Sequence, residues 1–478
     1  MSSIIGILVS LGLLIALAYR GVSVLLLAPL MALVATLFSA DAPLMASYTQ
    51  VFMPALGGFV VAFFPLFLLG AVFGKLMEAS GSASAIAQGI VGVLGTQRAL
   101  VAIVAACAVL TYGGVSLFVV AFTVYPIAAA LFRQANLPQR LMPATIALGA
   151  FTFTMTALPG TPAIQNAIPM PFFGTTPFAA PGLGLIAGAV MAGLGSWWLL
   201  ARAASAKALG EGYDGSDADD TPVANRLPVE HDARGDLPDT TSAGTPAFAR
   251  AMAPIVLVIA LNYALSTWLF PAMDTHYLAQ AKFGGTNIQA VRGLWAVSAA
   301  LFAAIVLLVA LERPRLPRLK DTLGDGASAS VLPLMNTASQ VGYGAVIASL
   351  AGFALIRDAV LGIAPGNPLV SLSIAVNVLA GITGSASGGM SIALQTLGAT
   401  WLAMGDAAGV SPELLHRVTA IATGGLDALP HNGAVITLLS ICKLSHRQSY
   451  LDIFVVAVAI PLVALVAVVA LSTALGSF

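Results

Sequence analysis

Charge is what this sequence has least of. Asp, Glu, Lys and Arg make up 8% of its 478 residues, while 59% are apolar and mean hydropathy is +0.95. A water-soluble chain cannot wet its surface with so few ionic groups. Cysteine is nearly missing: Cys107 and Cys442 stand far apart in apolar segments without metal-ligand spacing, which excludes a disulfide scaffold. No Gly-x-x-x-x-Gly-Lys-Ser/Thr stretch occurs, so transport driven by ATP within this chain is excluded. No basic run with interleaved aromatics points to nucleic acid. The absence of a metal-ligand cluster, or of a nucleophile and base at a recognisable spacing, argues against an enzyme, and no cofactor is expected.

What the chain does have is apolar length. A spanning helix needs roughly 20 mostly apolar residues, so this chain has room for on the order of ten to fourteen spans, a number that suits a transporter or channel and not an anchor. The fold class expected is an all-α polytopic membrane protein in the inner membrane. Its 47 glycines and 27 prolines fall largely inside the apolar runs, as they do where helices pack closely or break around a cavity. The first run, Ile4–Ala18, reads as a retained span because Met1–Ser3 carries no Lys or Arg to make a signal peptide.

One segment is different. Ala203–Arg250 holds nine acids against four bases among Gly, Ser, Thr and Pro, and cannot bury enough apolar surface to fold alone. It divides the chain into a first transmembrane repeat (1–202), an acidic cytoplasmic linker (203–250) and a second repeat (251–478). The halves resemble each other. Ala157-Leu158-Pro159 with Ala163, Ile164 and Ile168 returns as Ala428-Leu429-Pro430 with Ala434, Val435 and Leu439, an offset of 271 residues that also places Gly113 and Ser116 on Gly384 and Ser387. Basic residues do not follow the offset: Arg20, Arg98, Arg133, Arg140, Arg202 and Lys207 have no basic counterparts, and neither do Arg313–Lys320 or Lys443–Arg447. Since Lys and Arg mark cytoplasmic loops, the halves want opposite orientations. That is the pattern of an inverted-topology repeat with its site near the midplane.

Two pairs of segments could carry chemistry. Thr111–Ser116 and Gly381–Gly389 place several glycines inside apolar runs, where they favour unwound backbone whose amides can face an anion. Close helix packing through small residues is the competing reading. Thr156–Pro162 and Asp427–Gly433 carry prolines, Pro159 and Pro430, that break a helix and free backbone groups. A helix restarting there turns its positive end towards a carboxylate. The candidate substrate-binding residues are Gly113, Gly114, Ser116, Thr161, Gln165, Asn166, Ser385, Ser387, Gly388, His431 and Asn432, with Pro159, Gly384 and Pro430 as hinges. Asp427 and His431 are ionisable groups in an apolar setting, suited to taking up a coupling proton or to pairing with each other. Lys75 and Glu78 are spaced to pair at i,i+3.

Gly74-Lys75-Leu76-Met77 with Gly81 and Ile86-Ala87, the Tyr112-to-Pro126 segment, the Leu158–Ala163 break and, most specifically, Leu429-Pro430-His431-Asn432-Gly433-Ala434-Val435 together resemble the gluconate permease family of the ion transporter superfamily. The resemblance covers most of the chain except the linker. It implies proton symport of gluconate or related small hydroxy acids, 3-hydroxybutyrate among them, and a homodimer. The chain departs from the family where members that carry gluconate have an acidic residue near Gly113 and histidines around the first proline break. Gly113, Gly114, Thr156 and Thr161 stand there instead, which favours a smaller, less hydroxylated acid. Sodium coupling, with an ion held by the Ser385–Ser387 and Thr156–Asn166 breaks, and a passive channel are the alternatives.

Overall fold

A computed structural model of the chain describes residues 2–20, 22–39, 42–213 and 246–477. Most of the acidic segment, 214–245, lies outside the described residues. Helices account for all the regular structure, with no β-strand among the described residues.

Apolar sequence makes helix here because every main-chain group in lipid must bond within its own segment. The principal helices are α1 (Ser2–Tyr19), α2 (Val24–Thr36), α3 (Leu44–Ala79), α4 (Ser82–Leu94), α5 (Ala99–Tyr112), α6 (Leu117–Gln134), α7 (Met142–Ala150) and α8 (Pro181–Ala208). After the linker come α9 (Phe248–Ala272), α10 (Ile288–Glu312), α11 (Leu319–Ser349), α12 (Phe353–Leu361), α13 (Pro368–Thr383), α14 (Ala386–Ala408), α15 (Pro412–Thr423), α16 (Gly433–Cys442) and α17 (His446–Leu475). Among the described residues six helices are long and apolar enough to cross a membrane. The number rises to eight if the two pairs bent by 103° (α4 with α5) and 97° (α11 with α12) each count as one span. That is fewer than the ten to fourteen anticipated. Glycine and proline cut several apolar runs into pieces too short to span, and the run from Leu100 to Leu131 is in fact two helices, α5 and α6, parted at Gly113–Ser116.

The offset of 271 residues extends far beyond the motifs that revealed it. Added to the bounds of α3 through α8, it falls within a few residues of α11 through α15 and α17, and it places the short helices Ile164–Ala167 and Pro169–Phe173 on α16. Before α3 the register is lost. The mates α3 and α11 pack against each other along most of their length. Gly326 makes this close approach workable: a Cβ there would stand 2.8 Å from the Cα of Val72. Lys75 and Glu78 form the expected pair at 3.1 Å. Large apolar side chains such as Val61, Trp197, Trp268 and Val466 are exposed on the outside, as a lipid-facing surface requires.

A second set of contacts ties the halves at one end. The buried carboxylate of Asp452 in α17 accepts from Arg202 Nε (2.9 Å), Arg140 Nη1 (3.2 Å) and Trp198 Nε1 (3.0 Å), all from the first half. Arg140 also holds Glu211, just beyond α8, in a two-point bond of 2.6 and 2.8 Å. Hydrogen bonding from that guanidinium lowers the Glu211 pKa from its ordinary value.

Candidate functional site

The glycine break of each half meets the proline break of the same half. In the first, α5 ends at Gly113, Gly114 takes φ +95°, and Ser116 opens α6. Gly114 must be glycine on two counts: the left-handed backbone, and Pro162 Cγ, 2.8 Å from where a Cβ would sit. The Tyr112 hydroxyl donates to the Pro159 carbonyl at 2.6 Å. In the second half α13 ends on Gly384 at φ +60°, and the ring of His431 lies against it, 2.9 Å from the position a Cβ would take. Asn432 Nδ2 donates to the Gly384 carbonyl at 2.8 Å.

Proline frees carbonyls, and a buried free carbonyl must find a donor. The two halves close the same positions with different donors. Ala157 O takes Arg417 Nη1 (3.0 Å) and Pro159 O takes Tyr112, whereas Ala428 O takes the Tyr450 hydroxyl (3.1 Å) and Pro430 O lies 2.8 Å from His446 Nε2. Of the helices that restart after the breaks, the second has a side-chain N-cap in Asn432, whereas the N-cap of the first is Ala163, with Thr161 bonding close by. Thr161 Oγ1 accepts from the Ala163 amide, and Asn432 Oδ1 accepts from those of Ala434 (2.6 Å) and Val435 (3.2 Å).

The start of the first proline break packs against the helix that leads into the second. A Cβ on Gly424, at the end of α15, would lie 3.2 Å from Thr156 Cγ2. From α15 the side chains of His416 and Arg417 reach into the first half and are fully buried there. Arg417 places all five N–H donors on that half: Nε and Nη2 on Ala179 O (2.9 and 2.8 Å), Nη2 on Pro177 O (3.1 Å), and Nη1 on Ala157 O and on Asn166 Oδ1 (3.2 Å). His416 Nε2 lies 3.1 Å from Asn166 Oδ1, and its Nδ1 is 2.6 Å from Thr175 Oγ1. Asn166 Nδ2 donates to Thr161 O and Pro177 O, so its Oδ1 is the acceptor and His416 Nε2 the donor.

The candidate residues therefore fall into groups. Gly113 packs under Ile255 of α9, 2.7 Å from where its Cβ would be, and Asn166 spends its whole side chain on the bonds just described. Asn432 caps α16, and Thr161 accepts from the Ala163 amide within the first break. Ser385, Ser387 and Gly388 form the tip between α13 and α14 and face α11, with Ser387 Oγ 3.2 Å from Thr337 Oγ1. The carboxamide of Gln340, also on α11, fills the space a side chain on Gly388 would need, and its buried Oε1 has no hydrogen-bond partner. Gln165 Oε1 is buried and without a partner too. Asp427 lies half-buried in the turn after α15, four residues before His431. Gly160, Thr161 and Pro162 are buried, while Pro430 and Gly433 are exposed, so the first break is sealed and the second open.

His416, Arg417, Thr337 and Gln340 were not anticipated from the sequence. The apolar run begins only at Val418, just after His416 and Arg417. The signal that could have found them is Ser411-Pro412-Glu413, which starts the helix earlier through a serine cap and a proline in the first turn. Gln340 had no such marker.

A helical membrane protein built from two repeats whose broken helices converge in its interior has the construction of a transporter. The comparisons agree with that class. The uncharacterized transporter YxjC of Bacillus subtilis (strain 168) is 43% identical over 475 residues, 98% of each chain. The chain belongs to the family of this transporter. The crystal structure of the Alcanivorax borkumensis YdaH transporter superposes with a TM-score of 0.55 over 91% of this chain and 90% of that one, at 16% identity, a likeness of fold alone. No protein-family model matches. These relationships support membrane transport but do not carry the assignment to gluconate permeases.

Proposed function

We propose that this transporter is a proton-coupled symporter of the inner membrane for a small organic monoanion, such as 3-hydroxybutyrate or a gluconate-like hydroxy acid. The observation that carries the reading is the packing of Thr156, at the start of the first proline break, against Gly424, three residues before the second, with Arg417 of the same helix bonded to Ala157 O. Unwound backbone and helix ends gathered there suit a carboxylate. Asp427 and His431, within and beside the open turn, are the groups assigned to the coupling proton. The gluconate permease resemblance supplies the substrate class, and the charge pattern supplies opposite orientations for the halves. The contrast between a sealed first break and an open second one is what alternating access produces when such a protein faces one side. The homodimer belongs to the same proposal.

Uptake of labelled 3-hydroxybutyrate into proteoliposomes should rise at least tenfold with an inward proton gradient, and Asp427→Asn should remove that dependence. Uptake that follows sodium with no effect of pH would sink proton coupling. One observation favours this second reading: Gln340 Oε1, buried without a partner beside Thr337, Ser385 and Ser387, offers neutral oxygens of the kind a sodium ion takes.

A further inference from the structure

Arg417 is a buried cation that no substrate atom can reach by hydrogen bonding. Its five donors are spent on three main-chain carbonyls and one side-chain amide, all neutral, and no carboxylate among the described residues lies within ion-pairing distance of it. Hydrogen bonds replace the water such a group gives up, but they do not cancel its charge. In a low-dielectric interior that charge acts over a distance. The bond to Ala157 O puts it beside Thr156, where the first proline break packs against the end of α15.

We infer that Arg417 is a positioning residue that provides the fixed positive charge by which this site selects an anion, acting through space and not by contact. The inference rests on the proposal that the cargo is a small organic anion. A neutral donor such as glutamine could close two of these carbonyls as well; what arginine adds is charge, and the incoming carboxylate supplies the missing counter-charge. Between unit charges about 10 Å apart at an effective dielectric near 20, the interaction amounts to roughly a tenfold to twentyfold change in binding. A merely structural role for Arg417, bolting α15 to the loop from Ala157 to Ala179, predicts something different. Loss of the bolt would disturb the site for every ligand alike.

The test compares binding of 3-hydroxybutyrate with that of its uncharged analogue 3-hydroxybutyramide, on purified protein in detergent. Wild type should bind the acid at least tenfold more tightly than the amide. Arg417→Lys should keep that preference to within about threefold. Arg417→Gln should lose about tenfold in affinity for the acid and little for the amide. If Arg417→Gln weakens both ligands equally, the residue is a bolt only and the inference is overturned. Equal binding of acid and amide by the wild type overturns it too, whether or not the variants fold. A wild type that binds the amide and not the acid removes the anion reading itself, a result separable from the others.

Discussion

At Gly388 the space for a side chain is already taken by the carboxamide of Gln340. Gly388→Ala should therefore abolish uptake, and adding Gln340→Ala should restore part of it; a fully active Gly388→Ala would mean the tip and α11 are not in contact in the working protein. Asn432 shows the opposite case, a residue chosen for substrate chemistry that is occupied with structure. Asn432→Ala removes the cap on α16 and the tie to Gly384, and should lower stability by about 1–2 kcal/mol in denaturant titrations of the solubilised protein. Glu211 gives the pH dependence. Its folded-state pKa lies below its unfolded value, so its contribution is complete above the unfolded value and disappears as pH falls through the folded one. The melting temperature of wild type should drop across that acidic window more steeply than that of Glu211→Gln. At this scale the sequence was only partly legible. Asp427, His431 and the glycines draw attention because their types are unusual in apolar runs, but whether Asn166 is free or committed depends on His416 and Arg417, some 250 residues away, and no local pattern reports a partner that distant.

Among the elements, the broken helices were the most readable part. Proline and glycine act on the backbone locally, so interruptions within Thr111–Ser116, Thr156–Pro162, Gly381–Gly389 and Asp427–Gly433 could be placed without knowing their neighbours, and two of the gaps fall at 113–116 and 384–385. What could not be read was how many complete spans remain, because an apolar run looks the same whether it crosses the bilayer once or turns back halfway. The tie between Tyr112 and Pro159 tests how much each break depends on the other. Tyr112→Phe leaves a part-buried carbonyl without its donor and should cost about 1 kcal/mol. Hydrogen exchange should then rise in 157–163; an unchanged rate would show that Pro159 O finds another donor.

Across the whole molecule, the offset taken from a handful of small and apolar residues held for most of both halves, because duplicated helices keep their lengths even after their side chains have changed. The register fails before α3, where α1 and α2 have no equally spaced mates. The close packing of α3 on α11 suggests a static core, with the tips moving past it. Thr337 and Ser387, whose hydroxyls are 3.2 Å apart, are placed to test that. With Thr337→Cys and Ser387→Cys together, oxidation should stop uptake and a reductant should restore it. Full transport by the cross-linked protein would show that this tip does not leave α11.

The unequal closing of matched carbonyls has a consequence for biogenesis. Tyr450 and His446, which serve Ala428 and Pro430, belong to the same half as the oxygens they satisfy, whereas Ala157 and Ala179 depend on Arg417, a residue translated long after them. The second half can mature on its own contacts. The first leaves the ribosome with a loop held by Tyr112 and Asn166, and its last carbonyls wait for their donor until α15 has been made.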